Sequence, residues 1–210
     1  MAYDLEEQEQ LANLKAFWAK YGNAITAVIT ILALVFAGYR AWDYYQQRQA
    51  AQASVVYDAL LDGVKKQDMA KVKEATSELL DKYKRTTYAQ MAALVAAKAY
   101  VTVADTRAAK AQLEWLIGHA QDESFTHIAR IRLAGLLLDE KAFEDALKLL
   151  QKDPPAAFMA QYADRRGDIY LAQNKLAEAK AEFNKAYEAL DAESPLRNVI
   201  ELKRDAIHAS

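Results

Sequence analysis

The sequence predicts an all-α protein: an N-terminal single transmembrane helix followed by a solenoid of helical hairpins. Three observations support this. The 210 residues include only 6 Gly and 3 Pro, with the prolines confined to positions 154, 155 and 195, so little material is available to punctuate strands. The 19 residues between Lys20 and Arg40 carry no charge. From Gln90 onward, small and large residues recur at fixed positions of a repeat of roughly 34 residues.

Residues 1–20 read as an acidic tail, with Asp4, Glu6, Glu7 and Glu9 against Lys15 and Lys20. The remainder of the chain has equal numbers of acidic and basic residues. No basic run marks a nucleic-acid surface, so no nucleic-acid partner is expected. Cysteine is absent, which rules out disulfides and cysteine nucleophiles and suits an oxidising compartment.

Residues 21–42 form the predicted span. As a helix, the uncharged run measures about 28 Å, close to a hydrocarbon core of roughly 30 Å. Ile25, Val28, Ile29, Ile31, Leu32, Leu34, Val35 and Phe36 together favour insertion by on the order of 2–5 kcal/mol. Trp18 and Tyr21 flank one end, and Tyr39, Trp42, Tyr44 and Tyr45 the other, as interfacial aromatic belts do. A signal peptide would open with a short basic region, not a long acidic one. A soluble core helix would carry a polar face, which this run lacks. Lys15 and Lys20 before the span balance Arg40 and Arg48 after it, so charge does not orient the helix.

The span has sides. Thr26, Thr30, Ala33 and Ala37 recur at spacings of four, three and four and form one stripe. Small residues allow close backbone approach and threonine adds a hydrogen-bonding group, so the stripe is a candidate docking face for another transmembrane helix. The same residues are also common constituents of any such helix.

Residues 43–88 continue the helix and form a degenerate first hairpin, with a turn expected at Gly63–Asp68 and a second helix after it. Residues 89–210 carry the repeats. Counting from Ala160, Gly167 falls at position 8, Tyr170 at 11, Ala179 at 20, Phe183 at 24 and Ala186 at 27. This is the tetratricopeptide pattern, in which small residues let two helices approach and large ones fill the space beside them. Counting from His127 places Ala134, Leu137, Ala146 and Leu150 at positions 8, 11, 20 and 24. Counting from Gln90 places Ala97, Tyr100, Ala109 and Leu113 there. Generic helical hairpins produce similar patterning. Ser194-Pro195 reads as the start of a closing helix that covers the last hairpin.

No chemistry is legible. His119, His127 and His208 share no metal-ligand spacing, and there is neither a phosphate loop nor a nucleophile motif. The chain is expected not to be an enzyme and to need no cofactor. A solenoid of hairpins instead offers a concave protein-binding face. Tetratricopeptide positions 2, 5, 9 and 12 line it: Met91, Leu94, Lys98 and Val101; then Ile128, Ile131, Gly135 and Leu138; then Gln161, Asp164, Asp168 and Leu171. The candidate groove is apolar in its first half and acidic in its last. The basic cluster that clamps acidic C-terminal peptides is missing from positions 5 and 9, where Lys98 stands alone. Core packing between hairpins would use the same apolar positions.

The stretches "FWAKYGNAITAVI", "GYRAWDYYQQRQAAQAS", "TTYAQMAALVAAKAYV" and "AKAQLEWLI" resemble the ancillary SecYEG translocon subunit family of Gram-negative bacteria, the YfgM-like proteins. The resemblance spans essentially the whole chain. It implies a single-pass bacterial inner-membrane protein with a cytoplasmic N-terminus and a periplasmic C-terminal domain. It further implies three kinds of partner: the SecYEG translocon, a membrane-anchored periplasmic chaperone of the prolyl-isomerase type, and secreted client chains passed toward chaperones. The rival reading of the residues alone is a membrane-tethered scaffold that sequesters a cytoplasmic signalling regulator.

Overall fold

The computed structural model describes residues 2–208, with side chains over residues 7–207. Met1, Ala209 and Ser210, at the ends of the expected tail and closing helix, lie outside the described residues, as does the side chain of His208. The described residues form α1 (Ala2–Lys66), α2 (Met69–Lys82), α3 (Thr87–Thr102), α4 (Thr106–His119), α5 (Glu123–Asp139), α6 (Phe143–Leu149), α7 (Ala156–Ala172), α8 (Leu176–Glu188) and α9 (Pro195–His208). No strand occurs among them. The chain divides into two compact units after Ala51, and α1 contributes to both.

In the first unit, the apolar stretch of α1 is exposed on every side. Leu34, Val35 and Phe36 are 67%, 65% and 66% exposed, and none of the most apolar window is buried. Among the described residues this is the one helix long and apolar enough to cross a membrane. A core helix would be covered, so the soluble-core alternative finds no support.

The second unit is a row of hairpins with a serial core. Ala53, Tyr57 and Leu60 of α1 pack with Val72 and Leu79 of α2 and with Ala92 and Ala96 of α3. Leu113 and Leu116 of α4 then join Ala93 and Ala97 of α3 to Ala129 and Leu133 of α5. Ala134, Ala146, Leu150, Tyr162 and Ile169 link α5, the C-terminal end of α6 and α7. Ala163, Ala179, Phe183, Ala186 and Ile200 link α7, α8 and α9. Each cluster therefore joins elements adjacent in sequence, the quasi-one-dimensional core of a repeat protein.

One turn geometry recurs in all four hairpins. Gln67, Ala104, Lys141 and Asn174 have φ of 58°, 60°, 60° and 59°. The next residue in each case donates its N–H to a carbonyl five back: Asp68 to Gly63, Asp105 to Tyr100, Ala142 to Leu137 and Lys175 to Tyr170. This left-handed closure satisfies the carbonyls that the first helix leaves open. Two of the second helices then start on an aspartate cap, Asp68 accepting from Lys71 N–H and Asp105 from Ala108 N–H.

The expected turn at Gly63–Asp68 is shorter than the sequence suggests. The α-helix continues through Gly63 to Lys66, and the reversal occurs at Gln67 and Asp68. Gly63 is there for proximity and not for a break: a Cβ on it would stand 3.2 Å from the backbone nitrogen of Val72.

The closing helix α9 seals the last hairpin. Ile200 is fully buried, Leu196 and Ile207 pack beside it, and Arg197 and Arg204 lie over the Tyr187 ring at 3.9 and 4.9 Å.

Candidate functional site

Two surfaces follow from the sequence, one in each unit. On α1, Thr26, Thr30, Ala33 and Ala37 are all exposed. Thr26 Oγ1 donates to Gly22 O at 2.8 Å, and Thr30 Oγ1 donates to Thr26 O at 2.8 Å. Both hydroxyl protons are thus used inside the helix. What the stripe offers a neighbour is low relief and two acceptor oxygens.

In the second unit, the repeat-packing positions lie in the hairpin interiors. Ala97, Tyr100, Ala134, Ala146, Ala179, Phe183 and Ala186 are buried, Gly167 is buried as well, and Tyr170 is half-buried. Gly167 and Phe183 meet directly: a Cβ on Gly167 would stand 2.5 Å from Phe183 Cε1.

The candidate groove positions divide three ways. Lys98 and Val101 are exposed, and Ile128 is half-buried. Met91 packs against the first core cluster, Leu94 against the second, and Ile131 and Leu138 against the third. These four serve the core as much as any groove. Replacing Leu94 or Ile131 with Asp is therefore expected to cost on the order of 2 kcal/mol each, because a carboxylate is placed against packed apolar surface. A melting temperature unchanged in either variant would show that the side chain belongs to the open face.

Asp164 and Asp168 are not a free acidic lining. Lys203 of α9 bridges them, its Nζ donating to Asp164 Oδ1 at 2.6 Å and to Asp168 Oδ1 at 2.8 Å. Burial pushes the Asp168 carboxyl up from its ordinary value, and Lys203 only partly offsets it. At Lys203 burial pulls downward, but the hydrogen bonds to the two carboxylates outweigh it and raise the ammonium. The expected acidic half of the groove is therefore used to hold the closing helix.

Sequence reasoning missed three charged residues beside the candidate groove. A cavity of about 440 Å³ opens between α3, α5 and α7, lined by Lys98, Val101 and Gly135 together with Arg132, Asp139 and Arg165. Arg132 and Arg165 stand at position 6 of their repeats, outside the positions assumed to face the groove. A larger depression of about 850 Å³ lies between α4, α5 and α6, over Ile117, Leu133 and Leu149.

The hairpins are also tied by polar contacts. His127 Nδ1 lies 2.8 Å from the Tyr162 hydroxyl, joining α5 to α7. Burial, and Arg130 after it, hold His127 below the ordinary histidine value. Arg166 Nε donates to Glu182 Oε2 at 2.8 Å, and its Nη1 donates to Leu150 O at 3.2 Å, closing the end of α6.

The profile of the tetratricopeptide repeat-like domain matches residues 15–209, which takes in the apolar segment as well as the hairpins. The chain is 29% identical over 211 residues to the ancillary SecYEG translocon subunit of Neisseria gonorrhoeae, covering 99% of this chain and 100% of that one. It is 31% identical over 189 residues to the protein of the same name from Haemophilus influenzae, covering 90% of this chain and 92% of that one. The chain belongs to the ancillary SecYEG translocon subunit family. The Escherichia coli member is 24% identical over 94% of both chains. No solved structure matches significantly. Membership in the ancillary SecYEG translocon subunit family agrees with the all-α, repeat-bearing fold.

Proposed function

We propose that this chain is a membrane-anchored adaptor of the SecYEG translocon. The apolar stretch of α1 sits in the bacterial inner membrane beside the translocon, with the acidic tail in the cytoplasm and the hairpins in the periplasm. There the hairpins bind protein segments, engage a membrane-anchored chaperone of the prolyl-isomerase type, and help pass emerging secreted chains to it. The observation that carries this reading is the end-to-end correspondence with relatives named as translocon subunits, across the apolar segment as well as the hairpins. The exposed apolar helix supports the anchor, and the row of hairpins supports a protein-binding role.

Topology is the decisive test. The chain has no cysteine, so a single Cys replacing Ala192, exposed in the turn before α9, is a clean probe. Labelling of intact spheroplasts by a membrane-impermeant thiol reagent is the expected result. Labelling only after lysis would overturn the proposal and favour the cytoplasmic scaffold.

The docking stripe has its own test. Leucine at both Ala33 and Ala37 raises the low relief of that face, and co-purification with the translocon is expected to fall several-fold. Undiminished co-purification would remove the stripe as the contact face.

A further inference from the structure

The 440 Å³ cavity on the face shared by α3, α5 and α7 is electrostatically unbalanced. Lys98 and Arg132 are exposed and make no ion pair among the described residues. Arg165 is half-buried, with Nη1 3.6 Å from Asp168 Oδ2, a carboxylate already shared with Lys203. Its Nε donor is covered by protein and has no hydrogen-bond partner. Against these three cations the lining has one carboxylate, Asp139. Three donors of one sign converging on a concave, half-covered space favour an incoming anion, and guanidinium groups favour a carboxylate.

The shape adds a second requirement. Gly135 leaves the space open beside Arg165: a Cβ there would already stand 3.4 Å from the guanidinium carbon. Val101 is 45% exposed on the rim, and Leu136 supplies an apolar wall. A phosphate ion gains nothing from that apolar surface, whereas a peptide carrying an acidic and an apolar side chain uses both. Apart from Leu113 of α4, the lining comes from α3, α5 and α7, the first helices of three successive hairpins.

We infer that this cavity receives an acidic segment of a partner protein, with an Asp or Glu carboxylate held by Lys98, Arg132 and Arg165 and a neighbouring apolar side chain resting on Val101. The inference deepens the protein-binding role proposed above and rests on it. The exposed Arg132 and Lys98 bring the segment in, and the half-buried Arg165 guanidinium beside Gly135 adds a third positive charge at its carboxylate.

The test uses the full chain in detergent micelles and fluorescence anisotropy with the labelled, C-terminally amidated peptide Gly-Ser-Leu-Glu-Asp-Leu-Gly-Ser. Its control replaces Glu with Gln and Asp with Asn. The acidic peptide is expected to bind about tenfold tighter or better. The exposed pair Lys98→Glu and Arg132→Glu should erase that preference with an unchanged melting curve. Gly135→Leu, which fills the cavity without altering a charge, should erase binding of both peptides. Equal affinity for the two peptides, or a preference that survives Lys98→Glu and Arg132→Glu, would overturn the inference. So would full displacement by millimolar inorganic phosphate, which would assign the cavity to small anions. Co-purification of the wild-type chain with the translocon is scored in parallel. Equal peptide affinities with co-purification intact sink the acidic segment alone and leave the adaptor role standing.

Discussion

Replacing Gly167 with alanine is expected to destabilise the domain by about 2 kcal/mol, although alanine is the better helix former by about 1 kcal/mol. The two effects have opposite signs, so the sign of the result decides between them. A Cβ on Gly167 would lie 2.5 Å from Phe183 Cε1 and 2.6 Å from Cδ1, far inside contact distance. Phe183 is fully buried and has no free direction in which to yield. Either the ring leaves its rotamer or α7 and α8 separate, and both disturb the last core cluster. Leucine at the same position should be worse, on the order of 4 kcal/mol. Two controls make the test specific. Gly118→Ala, where a Cβ would meet nothing within 4 Å, should be neutral or stabilising by a few tenths of a kcal/mol. Phe183→Leu should recover part of the loss when combined with Gly167→Ala but cost stability alone. Urea denaturation of the full chain in micelles, read by circular dichroism, measures all five variants. A stabilising Gly167→Ala would mean that the helices are further apart than described.

The second large effect is electrostatic. Glu182→Ala should cost about 3–5 kcal/mol, because it strands Arg166. The two side chains are only 11% and 14% exposed, and Arg166 Nε meets Glu182 Oε2 at 2.8 Å. Lys185 also reaches Glu182, but from a largely exposed position, so it adds little. Removing both Arg166 and Glu182 should cost less than the sum of the single losses, by about 2 kcal/mol, since no charge is then left buried alone. Strict additivity in the double-mutant cycle would show that the pair is effectively solvated. Some loss must remain in the double variant, because Arg166 also caps Leu150 O at the end of α6.

The sequence was most readable where packing demands a contrast of sizes. Gly167 against Phe183 is such a contrast, and it is visible in the residue letters. The first hairpin hid itself for the same reason. Aligned on its left-handed turn, α1–α2 places Leu60 at position 8 and Gly63 at position 11, the reverse of the usual small-then-large order. Val72 and Thr76 then occupy the places that Ala179 and Phe183 fill in the last repeat. The close approach is kept, but through Gly63 against the Val72 backbone. Of the four turns only the first was expected, at Gly63–Asp68, since Gln67, Ala104, Lys141 and Asn174 adopt positive φ without being glycine.

The candidate groove was only half legible. Lys98 and Val101 are open as their positions suggest, but Arg132 and Arg165 enter from a helix position outside that rule. The use of Asp164 and Asp168 by Lys203 was beyond reach because the contacts span 39 and 35 residues. Nothing local in the sequence encodes them.

The serial core has a consequence for the order of events during synthesis. Each cluster needs only elements already adjacent in the chain, so loops are short and closure entropy is small at every step. The first hairpins have their complete set of apolar neighbours before α8 and α9 emerge. The domain is therefore suited to fold vectorially, from its N-terminal end, without waiting for its last residue. Only the final cluster waits, because Ile200 and Lys203 arrive last. A chain arrested before Pro195 would hold three finished layers and one open edge.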